Sequence, residues 1–158
     1  MVYVKGQGAT EYLVLLAVVL IIALVSIALL GFFPGLASDA RITQSTSYWR
    51  GEAGPFAILA PSINAVTGVA SIILQNNDAT GTFTMTNFTL GNTSNATLTS
   101  VTFAPGETRT ITLNASPAVG TTLDPGMIYD LAVNITYRSP NGVTGRQYGA
   151  KNLVGKYV

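Results

Sequence analysis

Residues 12–33 read YLVLLAVVLIIALVSIALLGFF, and no charged side chain occurs between positions 12 and 38. Of these 22 residues, 16 are Leu, Ile, Val or Phe; Ser26 and Gly31 are the exceptions that are polar or weaken a helix. At 1.5 Å per residue they predict a helix of about 33 Å, enough to cross a hydrocarbon core of about 30 Å. On an insertion scale of about 0.3–0.6 kcal/mol per residue they favour lipid by roughly 5–10 kcal/mol. The run is apolar on every face, so such a helix lies in lipid or in a packed helical core, not on water. Small residues at Ala17, Ala23, Ser26, Ala28 and Gly31 allow close approach of a second helix, and are equally tolerated in a helix that faces only lipid.

The rest of the chain is of another kind. Charged residues make up 9% of the 158, against about 25% in ordinary soluble chains, and Thr, Ser, Asn and Gly dominate beyond the apolar run. The net charge of +1 lacks the basic footprint of a nucleic-acid binder, so no nucleic-acid partner is expected. There is no cysteine and no histidine. Disulfides, thiolate catalysis, Ser-His-Asp catalysis and the commonest metal ligands are therefore excluded. Glu52, Glu107, Asp124 and Asp130 show no spacing that proposes an acid/base pair, and 76–81 (NNDATG) lacks the alternating acids of a calcium loop and reads as a turn. The expectation is a structural protein, not an enzyme, without metal or cofactor.

Lys5 precedes the apolar run and Asp39 is the first charge after it. The positive-inside bias then predicts a cytoplasmic N-terminus with the remainder outside. The run exceeds the 7–15 residues of a secretory h-region, although Ala37-Ser38-Asp39-Ala40 offers a small-residue cleavage alternative with a start near Arg41. Glu11 abuts the run with no cation among its helical neighbours. A carboxylate at membrane depth costs a few kcal/mol and marks a partner or a function. A first-turn Glu that satisfies the helix dipole at the interface is the plain alternative.

The leader MVYVKG followed by QGATEY and the apolar run resembles the start of archaeal type IV pilins with class III signal peptides. Lys5-Gly6, Gln7, Glu11 and Tyr12 carry the match, with Ala9 where the pattern often has Ser. The resemblance covers about 30 residues and implies cleavage by a prepilin peptidase between Gly6 and Gln7, leaving the helix on the mature chain. It also implies that the new Gln7 amine, with a pKa near about 7.7–8, pairs with Glu11 of a neighbouring subunit as helices leave the membrane for a filament core. Such a pair selects register more than it adds stability, and a head-to-tail contact that does not close builds an open helical polymer. The implied role is adhesion to surfaces or other cells, with partners comprising further copies of the chain, the peptidase, the pilus assembly machinery and, before assembly, the cytoplasmic membrane. Archaellins share this plan but usually start Gly-rich. A monomeric anchored binding module would need neither cleavage nor Glu11, and a hydrolase on a membrane stalk has no evident nucleophile.

The expected fold class is α+β. Its parts are a leader at 1–6, a hydrophobic helix at 7–35, a helix extension or linker at 36–54, and an extracellular immunoglobulin-like β-sandwich of about seven strands at 55–158. Pro34-Gly35 is expected to kink or end the helix. Positions 129, 131, 133, 135 and 137 (Tyr, Leu, Val, Ile, Tyr) alternate with polar residues or Ala, and Ala70, Ile72 and Leu74 form a second such run. The apolar parity of Phe83 and Met85 changes at Phe88 and Leu90, predicting a bulge near Asn87. Turns are expected at 76–78, 105–106, 124–126 and 139–142. Five Asn-x-Ser/Thr sequons, at Asn87, Asn92, Asn95, Asn114 and Asn134, are about twice the chance number and predict glycans on an exposed domain. Pro117 weakens Asn114, and parity puts Asn134 on the polar face of its strand.

Overall fold

The computed structural model describes residues 7–94, 100–114 and 123–158. It divides into two compact units, Met1–Ala40 and Arg41–Val158. Helix α1 spans Gln7–Ser47 and is followed by a π-helical turn, Tyr48–Glu52. The helix runs on through Pro34-Gly35, where the sequence predicted a kink or an end, so 36–47 is helix rather than linker. A proline inside a helix removes one hydrogen bond and costs about 3 kcal/mol. Beyond it, Ser45 and Trp49 are buried in the second unit.

The first unit contains the apolar part of α1, long and apolar enough to cross a membrane. Its large apolar side chains from Tyr12 to Leu30 are 44–70% exposed, so no described residue covers them. Ser26 is the one serine in this stretch, and its Oγ donates to the Ile22 carbonyl at 2.7 Å, which satisfies it within the helix.

The second unit is antiparallel β. Among the described residues it has ten strands, more than the seven or so expected, because short pairings join the longer ones. A three-stranded sheet is ordered β1 (Phe56–Ile63), β2 (Val69–Asn76), β6 (Thr108–Asn114). A second sheet is ordered β4 (Thr93–Ser94), β3 (Phe83–Leu90), β8 (Val133–Arg138), β9 (Thr144–Tyr148), with β5 (Val101–Phe103) also on β3. β7 (Ile128–Leu131) pairs with β10 (Leu153–Lys156). Residues from all three sheets enter one core, which is the helix-plus-sheets plan that the sequence suggested.

Alternation decides what each strand buries. In β2, Ala70, Ile72 and Leu74 face the core between more exposed neighbours. In β3 the register shifts between Met85 and Asn87, so Phe83 and Met85 before the bulge and Phe88 and Leu90 after it all point inward. The run from Tyr129 to Tyr137 keeps one parity but not one partner: at Ala132 the chain leaves β10 for β3 and β9. Phe56 anchors an aromatic cluster, edge-on to Phe103 at 5.1 Å, Tyr137 at 5.8 Å and Phe83 at 6.2 Å between ring centroids. Such pairs contribute about 0.5–1.5 kcal/mol each beyond the area they bury. Tyr137 and Tyr129 lie over the cross-strand glycines Gly145 and Gly155, where a Cβ would overlap the ring.

Two buried amides join what the ladders leave apart. Gln147 Oε1 accepts from the Phe56 N–H at 2.9 Å and its Nε2 donates to the Phe56 carbonyl at 2.7 Å. One side chain on β9 thus takes the place of a neighbouring strand for β1. Asn76 is fully buried and its Nδ2 is shared among the carbonyls of Gly81, Phe103 and Ala104 at 2.7, 3.2 and 3.0 Å. The turn expected at 76–78 falls later: Asn76 still belongs to β2, and the chain bends at 79–80 before β3. Asp78 Oδ1 accepts from the Thr80 and Gly81 N–H groups at 2.8 and 2.7 Å, and these bonds hold its carboxyl below the usual carboxylate range.

Candidate assembly helix and modification sites

Gly6 of the expected cleavage junction lies outside the described residues, and Gln7 is the first residue of α1. Glu11 and Tyr12 are both exposed on the helix, and among the described residues Glu11 is in neither of the ion pairs, which join Arg41 to Asp130 and Arg109 to Glu107. Gly8 and Gly31 have open space where a side chain would stand. The close approaches that these glycines permit are therefore not made among the described residues.

The sequons fall in different settings. Asn92 is exposed in the turn between β3 and β4, and Asn114 is exposed at the end of β6. Asn95 lies outside the described residues. Asn87 and Asn134 sit in adjacent central strands on the face turned away from the core, Asn87 opposite Thr136 and Asn134 opposite Thr89. The two sequons therefore interlock, each Asn facing the other's Thr. Both Asn Oδ1 atoms are buried and accept no hydrogen bond. Sequence parity places Asn134 on this face, but the crowding around it depends on cross-strand register, which one strand alone does not reveal.

A polar cleft of about 300 Å³ lies where the end of α1 meets β7 and β10, lined by Arg41, Gln44, Ser45, Asp130, Lys151 and Asn152 among others. Ser45 Oγ donates to the Asn152 carbonyl at 2.8 Å and accepts from the Val154 N–H at 2.9 Å. Asp130 takes the Asn152 side-chain amide at 2.8 Å and pairs with Arg41. These contacts use Arg41, Ser45, Asp130 and Asn152 in fastening the helix end. Sequence reasoning missed Ser45, Asn152 and Gln147, since a buried polar residue without its partner in view reads as surface. Among the described residues no group of acids could hold a metal ion.

Neither the protein-family models nor the curated proteins contain a match to this chain.

Proposed function

We propose that the chain is a structural subunit of an archaeal type IV adhesion pilus, made in the cytoplasmic membrane and assembled into an extracellular filament. One observation carries this reading: an apolar helix with no partner among the described residues is joined to a domain that completes its own core. Such a helix needs lipid or other apolar helices around it. Lipid serves before assembly and a bundle of further copies afterwards, with the small residues at Ala17, Ala23, Ala28 and Gly31 admitting close neighbours. The junction Gly6-Gln7 is the proposed site of prepilin peptidase cleavage. Glu11 then pairs with the Gln7 amine of another copy, with Tyr12 beside it at the assembly contact. The head carries glycans, for which Asn92 and Asn114 are the accessible sequons described. No catalytic role or cofactor is proposed.

The finer fold reading is immunoglobulin-like. The order β1-β2-β6 supports strands A, B and E of that layout, and β4-β3-β8-β9 supports C′, C, F and G.

The test is the N-terminal peptide mass of protein sheared from intact cells, with electron microscopy of the same fraction. Filaments whose subunits start at Gln7 support the proposal. A start at Met1 in protein that does not pellet points to an anchored monomer, and a start near Arg41 to a secreted domain. Given a Gln7 start, filament yield unchanged by Glu11→Gln would remove the register role of that carboxylate.

A further inference from the structure

The sheet formed by β3, β4, β5, β8 and β9 contains two charged residues, Arg138 and Arg146, and no acid. Arg138 pairs with Thr144 and Arg146 with Thr136 in the β8–β9 register, so the two arginines are diagonal neighbours on the outer face, about 7–8 Å apart at Cα. Both are exposed. Elsewhere in the unit Arg41 pairs with Asp130, Arg109 with Glu107, and Arg50 donates to the Leu59 carbonyl. Among the described residues Arg138 and Arg146 face no carboxylate, and the Arg146 guanidinium donates to the Tyr148 hydroxyl at 3.4 Å. Tyr148 is on the same face, 62% exposed, opposite Asn134. Around them stand the hydroxyls of Thr84, Thr102, Thr89 and Thr136 and the amides of Asn87 and Asn134.

We propose that this outer face binds an acidic polysaccharide, with Arg138 and Arg146 each engaging a carboxylate and Tyr148 packing against a sugar ring. A guanidinium offers a planar fork that fits a carboxylate with two hydrogen bonds. An exposed tyrosine presents an apolar body with a polar rim, which suits the mixed surface of a pyranose. The flanking threonine hydroxyls supply donors and acceptors for sugar hydroxyls. Nucleic acid is the poorer fit: two cations neutralise too few phosphates, and the chain carries a net charge of only +1. The inference goes beyond the filament reading and stands whether or not the chain polymerises.

The test uses the full chain in detergent micelles on immobilised polygalacturonate, neutral dextran and double-stranded DNA. Binding to polygalacturonate that weakens with salt, with little retention on dextran or DNA, is expected. The double variant Arg138→Gln/Arg146→Gln should weaken it about tenfold or more, and Tyr148→Ala roughly threefold. Arg109→Gln, a cation already paired with Glu107, should leave it within about twofold. Glycopeptide masses should show Asn87 and Asn134 unmodified, because a glycan there would cover the face. Equal retention on dextran, preference for DNA, an unaffected double variant, an equal loss in Arg109→Gln, or a glycan on Asn134 would each overturn the proposal. Pelletable filament yield of the double variant, measured separately, should match the unmodified chain; a loss would make the arginines a subunit contact instead.

Discussion

The units Met1–Ala40 and Arg41–Val158 handle apolar surface in opposite ways. In the second, Trp49, Phe56, Phe88 and Phe103 are wholly buried and a glutamine completes the backbone bonding of Phe56. In the first, Leu30 is 70% exposed and the residues around it fare little better. The head is finished by its own contacts, whereas the helix is finished only by its surroundings. Stability of the head should then respond to substitutions in the head alone, and residence in lipid to substitutions in the helix alone.

The largest expected break in that separation comes from Trp49→Ala. Removing a fully buried indole costs about 3–5 kcal/mol, so the head should melt far earlier in detergent while membrane partition is unchanged. A simultaneous loss of partition would mean that the two units do not behave independently. Ile21→Arg tests the converse, at about 2.5–3.5 kcal/mol against insertion, read as release from membranes with an unaltered melting curve of the head. Gln147→Leu keeps volume but orphans a buried N–H and a buried carbonyl on Phe56, for about 2–4 kcal/mol in denaturant melts. The smallest effect is from pH. Burial, with Tyr157 adding repulsion, pushes the Tyr129 hydroxyl up to about 12 from 10. Its folded form holds the proton more tightly, so this contribution is intact below about pH 10 and is lost as pH rises through about 12. Melts between pH 9 and 12 should show that loss, and Tyr129→Phe should remove it.

What could be read from sequence was what depends on near neighbours. The inward parity of Ala70, Ile72 and Leu74 and the bulge after Met85 follow from adjacent residues. Period-two alternation tells which face a residue takes but not which strand lies beside it, so the change of partner at Ala132 left no trace in the run from 129 to 137. Past Pro34 the sequence left helix extension and linker both open, because the burial of Ser45 and Trp49 depends on residues distant in sequence. The same limit governs the candidate sites. The sequons and the Gly6-Gln7 junction are strings of adjacent residues, but the interlocking of Asn87 with Asn134 and the alignment of Arg138, Arg146 and Tyr148 needed the sheet register.

The bond between Phe56 and Gln147 spans 91 positions, and this sets an order of events during synthesis. Closing so long a loop costs entropy before it returns any contact, which slows folding of non-local sheets. Translation delivers α1 and β1 well before Gln147. The apolar helix is therefore committed to its surroundings while β1 still lacks the side chain that completes it, and the head can close only once β9 has been made.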